Sequence, residues 1–494
     1  MSKVRNIIKQ PIWKKSDLGL PLPDSKHAVS VALPTWKDVI DYEEKDPICI
    51  ESLKSIYPRF GLNPLLKTLS EEVLTKYGFS NCSAWPYSND YIALKAKKFC
   101  DSKTKLINSF LAEKDGIHFL ITKSDASYHA RIFWQHTGLG ASSREAAISL
   151  GIENKPSKTL VNKAYRKIVD RISSFTETNP KYINLTSSGM SAFHTALEII
   201  YKVFPKKPTL QIGFPYVDVL KLPMNIFYGA NLITEENYEN IESRIKDLDP
   251  AALIIELPSN PMLKCANIKK IAEIGNKLNI PIITDDTIGS NLNIDSLLNS
   301  DIVFTSLTKI FSGSGDILAG SFILNPKSKW INQFQYALKD INMPLLSDGD
   351  IVALEKSSRD IDSRVFKQNL ACLELKRRLE NHPSIKEVFH PEHCPNFNSI
   401  IKKNGGYGCL LSFELEGGLK QARSFYDSLE VSKGPSLGTQ FTLVCPYVQL
   451  AHYNELNWAE SLGIPSHLIR VSVGLEDKEI LWNIFSKALE KVKV

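Results

Sequence analysis

The sequence predicts an α/β protein in which a mostly parallel sheet carries helices on both faces, with a smaller C-terminal α+β domain and an N-terminal extension. Three observations predict this fold class. Between residues 126 and 345, short apolar runs such as YINLT, LIIELP, PIIT and DIVFTSL alternate with helical patterns such as SAFHTALEIIYKVF, which is typical of βαβ units. After residue 345 the pattern changes to one long helix and hairpin-like strands. The length of 494 residues exceeds what one hydrophobic core supports.

The predicted elements divide into domains at residues 1–125, 126–345 and 346–494. The first domain is an extension in which prolines precede the helix-like NPLLKTLSEEVLTKYG and the strand-like IHFLIT. The second is the large α/β domain. The third begins with the helical SRVFKQNLACLELKRRLENH, continues with the strand-like GCLLSFELEG and LIRVSVGLE, and ends with the helical EILWNIFSKALEKV.

Composition and charge narrow the class of protein. The chain is 43% hydrophobic and 23% charged, as expected of a globular protein, and its net charge of +6 is spread without a basic block. Charge therefore gives no support for a nucleic-acid or membrane partner, and no apolar run approaches the roughly 18 residues that cross a bilayer. The eight cysteines lie far apart without a CxxC pair, which favours reduced thiols. We expect a soluble, cytoplasmic protein.

The strongest chemical signal is the segment DIVFTSLTKIFSGSGDILAG (301–320), where an apolar strand ends and Lys309 follows, flanked by Ser306 and Thr308. A lysine in this position can form an imine with an aldehyde cofactor. An isolated Thr-Lys pair, however, is more often part of an ordinary surface. The neighbouring strands decide between these readings, because ligands bind at the carboxyl ends of the strands in such sheets.

Polar residues follow three further strands. Asp285 and Thr287 follow PIIT, and a carboxylate there can hold a pyridine nitrogen protonated, which makes pyridoxal phosphate (PLP) an electron sink. Taken alone, this Asp is more often a helix cap or turn. Asn260 lies in the turn LPSNP, from which an amide can reach the ring oxygen of the cofactor. Tyr216 follows QIGFP and can stack on a planar ring or pack in the core.

The segment KYINLTSSGMSAFHTALEII predicts a phosphate cradle between a strand and a helix. Ser188, Gly189 and Met190 lie at the predicted helix N-terminus, where free N–H groups favour an anion and a glycine allows close approach. That field contributes only about 0.3–1 kcal/mol, so hydroxyls must assist, and Ser306 and Thr308 can supply them. Read alone, Met190 is a core residue.

In their order along the chain, SSGM, FPY, ELPSNP, DDT and SLTK resemble the Cys/Met-metabolism family of fold-type I PLP-dependent enzymes over roughly residues 126–494. SLGTQFTL (436–443) and LIRVSVGLED (468–477) continue the resemblance. SVALPTWKDVIDYEE (30–44) and IYPRF (56–60) are similar to the longer fungal members. The resemblance implies a fold-type I transferase, pyridoxal 5'-phosphate as cofactor and small amino acids as substrates.

The resemblance also implies a role for each matching residue. Lys309 binds the cofactor and later moves protons, Asp285 pairs with the pyridinium, and Tyr216 stacks on the ring and assists proton transfer. The remaining residues would bind the cofactor or the substrate. Asn260 would face the ring oxygen of the cofactor, and Arg470 and Ser436 would bind the substrate carboxylate. The other cofactor-binding residues are Ser188, Gly189, Met190, Thr287, Ser306 and Thr308.

Two positions depart from the family pattern. The family usually has a Tyr-x-Arg segment that reaches the phosphate of a neighbouring subunit, and in SYHARIFWQHTG (127–138) Arg131 fits this pattern while His129 replaces the tyrosine. The Glu that often precedes the SLG motif is Pro435. The resemblance thus implies a homodimer or homotetramer with Arg131 acting in trans, and leaves the contacts to the distal end of the substrate open.

The sequence favours one activity over several alternatives. The expected reaction is γ-replacement on an O-acylhomoserine, with cysteine as nucleophile and cystathionine as product. Synthesis of homocysteine from sulfide, or a γ-elimination, stays an alternative, as does a PLP-binding paralogue with an interaction role. The sequence has no GxxxxGK[ST] loop and no complete GxSxG elbow, and no second pair of zinc ligands follows FHPEHCP, so we expect no NTPase, no hydrolase and no metal.

Overall fold

The computed structural model describes residues 5–104, 108–234 and 238–492. No helix within these ranges is long and apolar enough to span a membrane. Short 3₁₀ helices occupy Lys15–Asp17, Pro180–Tyr182, Leu297–Asn299, Pro391–His393 and Tyr453–Glu455.

The N-terminal third builds two helices and then a small α/β layer. Its first helix begins where Thr35 accepts a hydrogen bond from the backbone N–H of Asp38, whose carboxylate caps the Thr35 N–H in return. The elements are α1 (Trp36–Glu44), α2 (Pro47–Ser52), α3 (Pro64–Lys76), β1 (Ser83–Tyr87), α4 (Asp90–Lys103), β2 (Ser109–Lys114), β3 (Ile117–Thr122), α5 (Ser124–Thr137) and α6 (Ser143–Ser149). In the described ranges, the strands pair antiparallel in the order β1-β3-β2.

The middle of the chain folds as the predicted alternation of strands and helices. Its elements are α7 (Lys158–Thr176), β4 (Ile183–Thr186), α8 (Gly189–Val203), β5 (Thr209–Ile212), α9 (Val217–Ile226), β6 (Ala230–Ile233), α10 (Tyr238–Leu248), β7 (Leu253–Glu256), α11 (Ile268–Leu278), β8 (Ile282–Asp285), α12 (Ser290–Asn293), β9 (Ile302–Thr305), β10 (Gly320–Leu324) and α13 (Ile331–Lys339). Strands β7, β8 and β9 are buried along their whole length, which explains why their sequences consist mainly of apolar residues.

The central sheet has the order β4-β10-β9-β8-β7-β5-β6 over the described part of the chain. Strands β6, β5, β7, β8 and β9 pair in parallel, and β10 runs antiparallel to both of its neighbours. The carboxyl ends of the parallel strands therefore meet at one edge, where a ligand is expected. The predicted α/β class is confirmed, with one reversed strand.

The C-terminal part forms the predicted α+β domain. Its elements are α14 (Asp348–Ser357), α15 (Ile361–Glu380), β11 (Ile385–Phe389), α16 (Pro395–Asn398), β12 (Leu410–Leu415), α17 (Gly418–Ser428), β13 (Ser432–Lys433), β14 (Leu443–Pro446), α18 (Tyr447–Ala451), α19 (Leu456–Ser461), β15 (Ile469–Ser472) and α20 (Lys478–Glu490). The sheet order within the described residues is β11-β12-β15-β14-β13.

Residues 20–63, which we call the strap, pack against the C-terminal domain and also contact the small α/β layer through His27 and Leu62. The backbone N–H of Leu33 donates to the carbonyl of Lys433, and the Tyr426 hydroxyl donates to the Leu33 carbonyl. The side chains of Leu33, Trp36 and Val39 share one buried cluster with those of the C-terminal sheet. The boundary at residue 125 stays a prediction, but the packing of the extension changes at the end of the strap.

A buried lysine joins the strap to β13 and gives a pH-dependent prediction. Lys433 is fully buried, its Nζ donates to the Pro34 carbonyl at 2.8 Å, and burial lowers its pKa to about 7. Because the unfolded chain keeps this proton up to its ordinary pKa, the unfolded state binds more protons above pH 7, and stability rises with pH. We expect the free energy of unfolding to rise faster in the wild type than in Lys433→Met, by roughly 1.4 kcal/mol per pH unit above pH 7.

Chemical denaturation of both proteins between neutral and alkaline pH measures this difference. Since every other titrating group is common to both, the difference between the two curves isolates Lys433. Parallel curves would mean that Lys433 is charged in the folded state.

Candidate functional site

A cavity of about 210 Å³ lies at the carboxyl ends of the parallel strands, between the large domain, the C-terminal domain and the strap. Its lining contains every predicted site residue except Arg131. Apart from Arg470, which lies within β15, each comes from a strand end or from the segment after it, so the topology brings together residues that are far apart in sequence.

Lys309 lies in the turn after β9 and points to the C-terminal domain and the strap. Its Nζ donates to the Ser436 hydroxyl at 2.8 Å and to the Tyr57 hydroxyl at 3.1 Å. The same atom lies 4.8 Å from the centre of the Tyr57 ring. Ser436 holds a backbone φ of +91°, a left-handed conformation that is rare for a residue with a side chain and that occurs at functional sites. The amine is therefore held by hydroxyls, without a carboxylate partner among its recorded contacts.

Asp285 ends β8 and is 5% exposed. Burial raises the pKa of its carboxyl to about 7, against the opposing hydrogen bonds from Thr287. The Thr287 hydroxyl accepts a hydrogen bond from the Ser306 N–H at 2.8 Å, which links the ends of β8 and β9. A buried carboxyl with this pKa ionises when a cation lies opposite, so Asp285 suits a protonated ring nitrogen.

Asp286, the second carboxylate of the pair, faces away from the cavity. Ser296 and Thr305 donate hydrogen bonds to its two oxygens, and burial raises its pKa to about 6. Successive residues at a strand end point to opposite sides, which explains why one carboxylate serves the cavity and the other supports the core.

The predicted cradle forms at the N-terminus of α8. Ser188 is the N-cap, and its hydroxyl accepts from the Ser191 N–H at 3.0 Å and donates to the Gly138 carbonyl. A Cβ on Gly189 would lie 2.5 Å from the Ser306 Cβ, so only glycine allows this approach of α8 to the turn after β9. The free N–H groups of a long helix and the Ser306 hydroxyl thus converge on one place.

Glu256, at the end of β7, positions two residues of the site. Its Oε2 accepts from the Tyr216 N–H at 2.9 Å and from the Asn260 N–H at 3.3 Å. Burial, with the nearby charge of Asp285, raises the pKa of Glu256 well above its ordinary value. Burial also raises the pKa of the Tyr216 phenol. Tyr216 is therefore placed at the cavity as a neutral, planar group.

Arg470 enters the cavity from β15 and is 4% exposed. Its guanidinium donates to the Ser436 carbonyl at 2.7 Å and to the Asn260 side-chain oxygen at 3.2 Å, and lies 4.6 Å from the centre of the Tyr447 ring. Within the described residues, no carboxylate is hydrogen-bonded or ion-paired to Arg470, although its charge partly offsets the raised pKa of the buried Glu256. A buried guanidinium without such a partner suits a carboxylate ligand.

Several residues of the strap line the cavity, among them Tyr57 and Arg59, and sequence reasoning assigned none of them to the site. Arg59 donates to Asp218, with its Nε 3.1 Å from Oδ2. Burial alone would raise the pKa of Asp218, but Arg59 and a hydrogen bond from His136 outweigh it and lower the pKa. The sequence IYPRF carries a signal for these residues, because Tyr57-Pro58-Arg59 has a complete Tyr-x-Arg spacing.

Arg131 lies on α5, outside the cavity of its own chain. The positive charge of Arg131 acts on Lys45, whose pKa is lowered first by burial and then by this charge. Contact with the phosphate of a neighbouring subunit stays a prediction for Arg131, while the Tyr-x-Arg pattern at the cavity is supplied by residues 57–59.

The donor set fits pyridoxal phosphate. The cavity presents an amine for the aldehyde, a buried carboxyl for the ring nitrogen, an aromatic ring for stacking, and a helix N-terminus for the phosphate. The close approach at Gly189, which a Cβ would fill, lies where the phosphate is expected.

Comparisons with known proteins agree with this site. The family profile described as Cys/Met metabolism PLP-dependent enzyme matches residues 162–490. A cystathionine gamma-synthase of Neurospora crassa is 29% identical, with 96% of this chain and 98% of that protein covered. An L-2-amino-4-chloropent-4-enoate dechlorinase/desaturase of Streptantibioticus cattleyicolor is 27% identical, with 95% and 97% covered. Similarity over nearly the whole chain therefore extends to proteins with different named reactions.

The fold also matches a solved structure. The cystathionine gamma synthase of Xanthomonas oryzae pv. oryzae, in complex with cystathionine, superposes with a TM-score of 0.59 at 22% identity. The match covers 69% of this chain and 89% of that one. The predicted fold-type I architecture is confirmed, and pyridoxal phosphate is the cofactor.

Proposed function

Because the chain belongs to the Cys/Met metabolism PLP-dependent enzyme family, we propose that it catalyses γ-replacement on an O-acylhomoserine, with cysteine as nucleophile and cystathionine as product. The observation that carries the proposal is the position of Arg470. Its buried guanidinium and the Lys309 amine meet at the same residue, Ser436. Binding of the substrate carboxylate to Arg470 would place the Cα of the substrate near the Lys309 amine. The named activity of the Neurospora relative supports the choice of reaction.

In this proposal, each residue has a defined task. Arg470 binds the α-carboxylate in a two-point contact, and Asp285 keeps the ring nitrogen protonated. Bound pyridoxal phosphate supplies the electron sink for the electrons left at Cα. Lys309 takes the proton from Cα and moves protons at Cβ, and Tyr216 packs on the ring face and assists. The acyloxy group leaves Cγ as a carboxylate, and the thiolate forms the new C–S bond there.

The choice of nucleophile is the open part of the reaction. Pro435 stands where the family often has a glutamate, so this position offers no carboxylate to the substrate. Sulfide as nucleophile, which would give homocysteine, and γ-elimination to 2-oxobutanoate are the alternatives. Because relatives of similar identity carry different named reactions, product analysis must separate them.

Incubating the cofactor-loaded enzyme with O-acetylhomoserine, and separately with O-succinylhomoserine, tests the proposal. Each ester is supplied with cysteine, with sulfide or alone, and the products are identified by mass spectrometry. We expect cystathionine to form fastest. Homocysteine as the main product would move the assignment to sulfide, and 2-oxobutanoate to elimination. If neither ester is consumed under any condition, γ-replacement is wrong.

The resemblance supports two further proposals about the whole protein. We expect it to act on small-molecule substrates in the cytoplasm, and to assemble as a homodimer or homotetramer.

A further inference from the structure

The strap carries residues that contact the reacting amine. Among the described residues, the Lys309 Nζ has two hydroxyl partners, and one of them, Tyr57, comes from the strap. The ring of Tyr57 also lies under the amine, 4.8 Å from its centre to Nζ. The Tyr57 side chain thus restricts both the direction in which the Lys309 amine points and how far it can move.

The rest of the strap fixes the position of Tyr57. Phe60 packs 4.8 Å from the ring of Tyr42 in α1 and 6.2 Å from that of Tyr57, measured between ring centres. Arg59 is tied to the buried Asp218 of α9. Neighbours of Tyr57 are therefore anchored in two places, Phe60 in the C-terminal core and Arg59 at Asp218 of the large domain.

The strap reaches this place along a path within its own chain. The Val29 N–H donates to the Gly315 carbonyl at 2.9 Å, and the Ser25 hydroxyl donates to Asp316 at 3.2 Å. Ser30 donates to the carbonyl of Pro435, next to Ser436. These contacts extend from the loop after Lys309 to the loop that contains Ser436, the second hydroxyl partner of the Lys309 amine. The strap therefore covers one side of the cavity.

We propose that the strap completes the active site of its own chain, and that Tyr57 is a positioning residue that orients the Lys309 amine through its hydroxyl. This assignment differs from the expectation that a neighbouring subunit supplies the Tyr-x-Arg pair. It rests on the proposed function only in taking Lys309 as the reacting amine. In support, burial would raise the pKa of Tyr57, but the charge and hydrogen bond of Lys309 outweigh it and lower the pKa.

A disulfide trap tests the path without using turnover. In the double variant Ser25→Cys/Asp316→Cys, mild oxidation with copper phenanthroline should join the strap to the loop after Lys309. A link within one chain leaves a monomer-sized band on a non-reducing gel, with the linked peptides identified by mass spectrometry. Each single variant is the control for the eight native cysteines. A covalent dimer joined through these two positions would overturn the proposal.

Subunit mixing tests whether Tyr57 serves its own chain. Chains with Lys309→Ala and chains with Tyr57→Ala are co-expressed with different tags, and mixed oligomers are purified. If the strap acts within its own chain, no mixed site holds both residues, and activity stays at the level of the parents. If the mixed oligomers gain about one working site per pair of chains, Tyr57 acts across subunits and the proposal is wrong.

The role of the hydroxyl is tested with Tyr57→Phe. We expect kcat/KM to fall roughly 10- to 100-fold, and the midpoint of the pH-dependent visible spectrum of the loaded protein to move by about one unit. Tyr87→Phe is the control, because Tyr87 is a buried tyrosine that lies in β1 outside the cavity and has no recorded hydroxyl partner in the described residues. If the spectra of both variants titrate like the wild type, Tyr57 does not orient Lys309. The spectrum and the disulfide stay readable even if no homoserine ester is a substrate.

Discussion

Lys309→Ala is expected to lose the visible absorption of the loaded enzyme and to lower turnover by at least roughly 10³-fold, because in the proposed mechanism one change removes both the covalent attachment and the proton carrier. Lys309 is the amine at the centre of the cavity, where Ser436 and Tyr57 hold it. The measurements are an absorption spectrum after addition of pyridoxal phosphate and the rate of ester consumption.

Two variants control this result. Lys309→Arg keeps a cation of similar reach but no primary amine, so it should be as inactive as the alanine variant. Lys327→Ala removes an exposed lysine after β10 and should match the wild type. If Lys309→Ala retains turnover near that of Lys327→Ala, another amine carries the chemistry.

The second large effect is expected for Asp285→Asn, with turnover falling by roughly 10²- to 10³-fold, as is usual when one preorganised electrostatic partner is removed from a buried site. The amide keeps the shape of the carboxyl but cannot stabilise a protonated ring nitrogen. Because the proposed binding site of the substrate carboxylate is Arg470, on the C-terminal domain, we expect KM to change less than kcat.

Asp286→Asn is the matched control for this prediction. Asp286 is also buried, yet it bonds to Ser296 and Thr305 on the core side. Its replacement should lower the melting temperature while leaving the absorption spectrum of the loaded enzyme in place. Equal losses of turnover in both variants would assign the effect to packing and not to the ring nitrogen.

The sequence predicted the large domain well because its signals are local. Strands β7, β8 and β9 of the parallel sheet are short, fully buried and mainly apolar, and the residues that follow each of them lie at the ligand edge of the sheet. This rule brought Asp285, Lys309 and the α8 cradle to one cavity. The choice between Asp285 and Asp286 also follows from strand alternation, since the two side chains face opposite sides.

The strap was not predictable in the same way, because its position depends on long-range packing. The run IYPRF has no strand or helix pattern of its own, and its partners are hundreds of positions away in sequence. Arg131 lies outside the cavity of its own chain, and its action in trans stays a prediction. Residues 57–59 contain a complete Tyr-x-Arg spacing and line the cavity.

The strap also constrains how the polypeptide is made. Leu33 hydrogen-bonds to Lys433, and Tyr57 and Arg470 line the same cavity, so segments far apart in the chain must both exist before the site closes. During synthesis the strap emerges before its packing partner, and its apolar residues stay exposed until the segment around Lys433 has been translated. Contacts of such separation form slowly and leave hydrophobic surface exposed in the meantime. We therefore expect this protein to depend on chaperones until its C-terminal domain has been translated.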